Sequence, residues 1–299
     1  MTNIKTILVT GHTGQLGQSI KAIIADCIDY ADYEFEFANR AQLDLSNQTS
    51  ITDFFKYNKF DVIINCAAHT AVDKAESEPE LANQINHLAV KQLAEIANLH
   101  NTKLIHISTD YVFNGQQCRP YVESDGVEPQ SVYGLTKLKG EQAIQNTMAN
   151  NVIIIRTSWV YSEYGNNFVK TMLKLGQERQ SLNVIYDQVG TPTYAKDLAK
   201  AIISIVQSEK FNQTSFKTNI VHFSNEGVAS WYDFAKTIFE LTNIQCQVSP
   251  IETKDYPTPA TRPHYSVLNK TKIKDTYNLT IPYWKDSLKQ CLTALQDNA

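Results

Sequence analysis

The run Lys5 to Thr10, KTILVT, passes directly into GHTGQLG and then into a helical stretch from Gln15 to about Cys27. An apolar run of strand length, a glycine turn and a helix, in that order, restrict the start of the chain to a βα unit of a parallel sheet. Further apolar runs recur at βα spacing: EFEFA at 34–38, DVIIN at 61–65, KLIHIS at 103–108 and NVIIIRTS at 151–158. Helical patterns fill the intervals near 50–57, 80–98 and 132–146, with Pro79 where a first helical turn tolerates it. This alternation predicts an α/β fold, a Rossmann-type doubly wound parallel sheet with helices on both faces.

Beyond residue 160 the pattern loosens into a helix near 167–175, a strand SLNVIY at 181–186, a helix at 195–207, a strand at 220–223 and a helix at 230–242. Residues 1–160 are expected to form the dinucleotide-binding domain, with segments near 181–222 returning to it. The remainder of 161–299 is expected to be a smaller C-terminal substrate-binding domain. ETKDYPTPATRP at 252–263 is too rich in proline for a regular element and reads as a loop over a site, before helical stretches near 270–277 and 282–295.

Composition narrows the function classes. The 299 residues are 42% hydrophobic and 19% charged, ordinary for a globular enzyme, and no apolar run approaches the ~18 residues that span a bilayer. A cytoplasmic location is expected. The net charge of −4 argues against a nucleic-acid partner. Cys27, Cys66, Cys118, Cys246 and Cys291 are odd in number and lack a Cys-x-x-Cys pair, so they read as reduced structural thiols. No spacing of histidines and carboxylates specifies a metal.

Gly11, Gly14 and Gly17, between strand and helix, suit either a packing turn or a backbone cradle for a pyrophosphate, and the context favours the cradle. The second strand ends in Asn39 and Arg40, where an acidic residue would accept the ribose hydroxyls of NAD. A guanidinium there suits a 2′-phosphate, so NADPH is expected, with NADH left open. Asp44 and Leu45 could cradle the adenine edge, or Asp44 could cap the next helix. In NCAAHTAVD, Cys66, Ala67 and Ala68 let the backbone pass close to a cofactor, or simply pack. His69 carries no catalytic role on this reading.

Tyr133 and Lys137 stand four residues apart at the start of a predicted helix, where an ammonium could lower a phenol's pKa. Tyr232 and Lys236 repeat the spacing inside SWYDFAKTIFEL, but there Trp231, Phe234, Ile238 and Leu241 form an apolar stripe typical of packing. Tyr133 instead follows a strand ending in Ser108, Thr109 and Asp110, at the same sheet edge as the glycine turn. A hydroxyl, a phenol and an ammonium beside a nicotinamide form a carbonyl-reducing site.

LVTGHTGQLG, AAHTAVDKAESEPE, STDYVFNG, SVYGLTKLKGE, RTSWVYSEYGNNF and DQVGTPTYA, in that order, resemble the extended short-chain dehydrogenase/reductases. Within them they are most similar to the dTDP-4-dehydrorhamnose reductase family, over nearly the whole chain. The resemblance implies NADPH-dependent reduction of a dTDP-linked 4-keto-6-deoxy sugar, a step toward polysaccharide building blocks. It implies Tyr133 as proton donor, Lys137 on the nicotinamide ribose and Thr109 on the reacting oxygen. Gly14, Gln15, Leu16, Asp44, Leu45, Ala68, His69 and Thr70 would contact the cofactor. Asp110, Trp159, Asn166, Asn167 and Arg262 would contact the sugar nucleotide. Some relatives bridge subunits through a metal on acidic residues, and Ser19 and Lys196 stand where such ligands are expected, so monomer and homodimer both stay open. An epimerase of the same superfamily, or a non-catalytic subunit like the methionine adenosyltransferase β subunit, would share most of these features.

Overall fold

A computed structural model describes residues 4–26 and 32–297. Cys27 lies outside the described residues, and the first helix is described to Asp26. The first half runs β1 (Lys5–Thr10), α1 (Gln15–Asp26), β2 (Tyr33–Ala38), α2 (Gln48–Tyr57), β3 (Val62–Asn65), α3 (Val72–Ser77), α4 (Pro79–Asn83), α5 (Ala89–His100), β4 (Lys103–Thr109), α6 (Val132–Thr147) and β5 (Val152–Thr157). The second half adds β6 (Val160–Tyr161), α7 (Phe168–Glu178), β7 (Ser181–Ile185), β8 (Val189–Gly190), β9 (Thr193–Tyr194), α8 (Ala195–Gln207), α9 (Glu209–Asn212) and β10 (Asn219–His222). It closes with β11 (Ala229–Ser230), α10 (Trp231–Thr242), β12 (Gln247–Ile251), α11 (Thr271–Tyr277) and α12 (Trp284–Asp297).

Six strands form one parallel sheet in the order β2-β1-β3-β4-β5-β10. Side chains alternate across it, as a pleated strand requires. Ile7, Val9, Val62, Ile64 and Ile153 meet Ile20 of α1 and Leu198, Ile202 and Ile205 of α8 on one face. Leu8, Ile63, Leu104 and Ile154 meet Ile51, Phe55, Leu93 and Ile144 of α2, α5 and α6 on the other. Burial on both faces explains why these strands read as unbroken apolar runs rather than as alternating ones. From β1 the chain pairs outward to β2 on one side and β3 on the other, so the carboxyl end of β1 is a topological switch point, where open α/β sheets bind ligands.

The helix expected over 80–98 is interrupted. Gln84–Leu88 is a π-helical turn between α4 and α5. Its buried Asn86 accepts from the His69 amide at 2.8 Å and donates to the His69 carbonyl at 3.1 Å, so the bulge aims one side chain at the loop after β3. Gly140 of α6 faces the same turn, where a Cβ would lie 2.3 Å from the Asn86 carbonyl oxygen.

Within 181–222, α8 and β10 lie with the six-stranded sheet, whereas β7 pairs in parallel with β12. That pair packs with α7, α10 and α12 around Phe234, Ile238, Trp284 and Leu288. The segment 252–263 carries one 3-10 turn, Thr253–Asp255, and is pinned at both ends. Thr253 donates from its amide and hydroxyl to the Asp187 carboxylate, and the Arg262 guanidinium grips Asp73 of α3 at 2.7 and 3.0 Å.

One buried ion pair joins α6 to the sheet. Arg156 of β5 donates to both Glu141 carboxylate oxygens at 2.9 and 2.6 Å, and Ser108 of β4 donates to the same carboxylate. The guanidinium also lies 5.0 Å from the Phe113 ring centre. Both charges are almost fully buried, so removing one strands the other in an apolar interior. Glu141→Ala is therefore expected to cost about 3–5 kcal/mol of unfolding free energy in urea titrations. The double variant Glu141→Leu/Arg156→Met is expected to recover most of that loss, because no charge is then left unpaired.

Candidate active site

The glycine turn is shaped by what it touches. Gly11 has φ +65, and a Cβ on it would stand 2.7 Å from the Ala67 backbone, so only glycine fits where β1 passes the loop after β3. Gly14 follows with its amide bonded to the Gly11 carbonyl at 3.0 Å, and Gln15 and Leu16 open α1 at the cleft wall. The first turn of α1 carries no acidic side chain, so the positive end of its dipole is free to face a phosphate. Gly17, expected among the cofactor contacts, does not line the cleft. A Cβ there would sit 2.4 Å from the His12 Cα, which makes it a packing glycine.

The cleft at the carboxyl ends of the strands has a volume of about 780 Å³ and runs from the β1 turn to the C-terminal half. Thr109, Tyr133 and Lys137 share its wall. The Ser131 hydroxyl caps α6 through the Gly134 amide, and a Cβ on Gly134 would strike the Tyr111 carbonyl at 2.3 Å, so the first turn of α6 is pressed against β4's exit. Tyr133 stands edge-on to Tyr111, ring centres 5.5 Å apart.

Burial pushes the Tyr133 phenol up to about 12, with the Thr109 hydroxyl opposing and Asp110 adding to the rise. Burial pulls the Lys137 ammonium down to about 8, against the partial opposition of Glu141 one helical turn away. The expectation that Lys137 would lower the phenol is corrected here. Its Nζ donates to the Ile107 carbonyl at 2.6 Å and sits 3.4 Å from His106, and the group that eases the phenol's ionisation is Thr109. Behind it runs a buried chain across the strand ends: Thr10 donates to Asn65 at 2.7 Å, and the Asn65 amide nitrogen lies 3.0 Å from His106.

At the other end of the cleft, Asn39 and Gln42 exchange backbone-to-side-chain bonds at 3.0 Å and shape the turn after β2. The Arg40 side chain is 75% exposed and rests on Asp44 at 3.3 Å and on the Ser46 hydroxyl at 3.2 Å. Burial raises the Asp44 carboxyl, but the Ser46 hydroxyl and amide, then Arg40, outweigh it and hold the group below its usual range. Asp44 does not cap α2; Asn47 does, accepting from the Thr49 and Ser50 amides. Asn39, Arg40, Asp44, Leu45, Ala67, Ala68 and Thr70 all line the cleft. His69 does not: its backbone is fastened by Asn86 and its ring turns to Glu78 at 3.3 Å.

Asp110, Trp159, Asn166, Asn167 and Arg262 line the opposite end. The Asn167 side chain is heavily committed within the protein. Its oxygen caps α7 through the Lys170 amide, and its nitrogen donates to Gln15 at 2.9 Å and to the Ser162 carbonyl at 2.7 Å. It thus ties the glycine turn to the second half rather than offering free donors. Tyr232 and Lys236 lie outside the cleft, the ammonium 5.9 Å from its own helix's tyrosine ring. Among the described residues no three His, Cys, Asp or Glu side chains are placed to hold a metal ion, the four described cysteines are unpaired, and no helix is long and apolar enough to cross a membrane.

The sequence model of the RmlD substrate binding domain matches residues 5–297. The chain belongs to that family. It is 43% identical over 293 residues to a dTDP-4-dehydrorhamnose reductase of Aggregatibacter actinomycetemcomitans, covering 95% of this chain and 97% of that one. Among solved structures, a dTDP-4-dehydrorhamnose reductase from Clostridium acetobutylicum superposes with a TM-score of 0.89 at 41% identity, over 97% of this chain and 99% of that one. Another, from Bacillus anthracis and solved in complex with NADP, gives 0.88 at 34% identity over the same shares.

The cleft also holds residues that the sequence had not marked for it. Trp231, read from the sequence as part of the α10 packing stripe, lines the cleft, as do Thr157, Ser158 and Tyr111. Trp231 is the first residue of α10, and an apolar periodicity cannot tell which way a first-turn side chain points.

Burial also sets a measurable property of Asp110, which is 2% exposed and pushed up to about 6, with the Thr109 hydroxyl at 2.9 Å only partly offsetting that rise. Between the ordinary carboxyl value near 4 and about 6, the folded protein holds a proton that the unfolded chain releases, so stability falls as pH rises through that window. Asp110→Asn lacks this loss. Its unfolding free energy is expected to gain roughly 2–3 kcal/mol on the parent between pH 4 and 7, as measured by denaturant titration across that range.

Proposed function

We propose that the chain reduces the 4-keto group of dTDP-4-dehydro-β-L-rhamnose to give dTDP-L-rhamnose, using NADPH, with Tyr133 as the proton donor. The observation that carries this reading is the single cleft that holds Thr109, Tyr133 and Lys137 at one side and the Gly11–Leu16 turn at the other. The names of the relatives above support the substrate. The residues at the β1 switch point fit a dinucleotide. Gly11 leaves room for backbone approach, the α1 N-terminus offers its dipole, and the exposed Arg40 stands where a 2′-phosphate needs a cation. The NADP complex of the Bacillus anthracis relative accords with Arg40 in that place.

When bound, the nicotinamide supplies the hydride that reduces the sugar carbon. Everything else falls to side chains of the chain. Tyr133 holds its proton firmly at neutral pH because burial disfavours the phenolate, and a phenol near 12 still surrenders a proton to an alkoxide, a far stronger base. Thr109 has one hydroxyl proton, directed to Asp110 in the structure, and turns it to the developing oxyanion when the sugar is bound. Lys137, anchored by the Ile107 carbonyl, holds the nicotinamide ribose. Arg262 faces the diphosphate from the far wall, with Asp73 orienting its guanidinium.

Tyr133→Phe is expected to retain NADPH affinity, read by nicotinamide fluorescence, and to lose about 10²- to 10⁴-fold in kcat. Near-parental NADPH consumption with the keto sugar would sink the assignment. Arg40→Ala is expected to raise the KM for NADPH well above its effect on NADH. Equal changes in both would remove the basis for the 2′-phosphate contact.

A further inference from the structure

Trp159 stands out in its backbone. Five described non-glycine residues have positive φ, and four of them are asparagines, which tolerate that region. Trp159, at φ +48, is the fifth, and a bulky side chain persists in that conformation only when its surroundings fix it. Those surroundings are visible. The Trp231 indole lies on the Trp159 indole with ring centres 3.6 Å apart and planes 10° from parallel, and Phe168 packs on Trp231 at 4.7 Å. Gly190 closes another side, where a Cβ would stand 2.8 Å from Trp159 Cε2.

Two short elements hold this arrangement together. β11 pairs antiparallel with β8, putting Ala229 opposite Gly190 and Ser230 opposite Val189. Ser230 then starts α10 with a reciprocal cap: its hydroxyl takes the Asp233 amide at 3.0 Å, and the Asp233 carboxylate takes the Ser230 amide at 2.9 Å. The same ladder thus sets both Gly190 and the direction of Trp231. Both indoles line the cleft and remain partly exposed. Trp159 comes two residues after Thr157, which sits opposite Thr109 in the β4–β5 register, so the pair stands at the reacting end of the cleft.

We infer that Trp231 is a positioning residue for the substrate sugar: stacked on Trp159, it holds that indole as a fixed wall against the apolar C–H face of the deoxyhexose. This rests on the function proposed above. A hexose carries axial C–H bonds on one face, and an aromatic plane is the surface that matches them. A rigid wall costs no ordering when the sugar arrives, so its loss weakens the sugar end of the ligand and not the nucleotide end.

Calorimetric titration of the full chain with dTDP-L-rhamnose and with dTDP separates the two. Trp231→Ala is expected to weaken dTDP-L-rhamnose about tenfold or more while dTDP and NADPH stay within about twofold. Trp231→Phe, which keeps an aromatic face, is expected to restore most of the loss. Stacked indoles also couple electronically, so the far-ultraviolet circular dichroism of the parent is expected to show an exciton couplet that Trp231→Ala abolishes, since the third tryptophan, Trp284, packs apart against Phe234. Equal weakening of dTDP and dTDP-L-rhamnose, or parental sugar-nucleotide affinity once the couplet is gone, overturns the inference. If Trp231→Ala does not fold, Gly190→Ala decides by the same affinity ratio, because its methyl group would stand 2.8 Å from Trp159 Cε2 and force the indole to shift. Turnover of the parent with NADPH and the keto sugar tests the proposed function separately: a parent that binds dTDP-L-rhamnose but leaves NADPH unoxidised defeats that function and leaves the affinity ratio to judge Trp231.

Discussion

The close approach of Gly11 to Ala67 governs the layout of the molecule. A side chain at Gly11 would collide with the Ala67 backbone, so β1 and the loop leaving β3 can meet only as bare main chain. That contact sits where the sheet order reverses, between β2-β1 and β1-β3. Because the two loops diverge from there, a crevice opens at the carboxyl ends of the strands, and Thr109, Tyr133 and Lys137 line it. The Thr10–Asn65–His106 chain ties the strand ends together beneath it, and Lys137 stands at its far end.

Burial sets the electrostatics of that rim more than pairwise attraction does. Tyr133, Lys137 and Asp110 are all shifted toward their neutral forms, and in each the first cause is loss of water. Burial thus brings the lysine pKa toward neutral pH while it moves the phenol pKa further from it. The Glu141–Arg156 pair lies directly behind, neutralised internally and clamped to Ser108, so α6 can present Tyr133 and Lys137 without shifting along the sheet.

How much of this could be read in the sequence depended on how each signal is written. α8, expected over 195–207, has those bounds in the structure, because a helix with a continuous apolar face is the strongest pattern a chain offers. β1, β3, β4 and β5 were legible as unbroken apolar runs, the mark of burial on both faces. β6, β8, β9 and β11 were not, since a two-residue strand has no periodicity to detect. The π-helical turn at Gln84–Leu88 also left no mark: its cause is Asn86 reaching His69, a contact between residues on separate elements. At the site, the glycine spacing and the Tyr133–Lys137 pair pointed to the cleft. His69 and Gly17 carried the right context yet face elsewhere, and Trp231 was hidden in a stripe that correctly describes Phe234 and Ile238.

The position of β10 has a consequence for how the two halves exist. The sixth strand of the sheet comes from residues 219–222, and the helix covering Ile7 and Val9 comes from residues 195–207, both far beyond the end of β5. A chain stopped near residue 160 would present an unpaired edge at β5 and an uncovered face of isoleucines and valines to water. The half built on the six-stranded sheet is therefore not a detachable module, because α8 and β10 complete it from beyond residue 194.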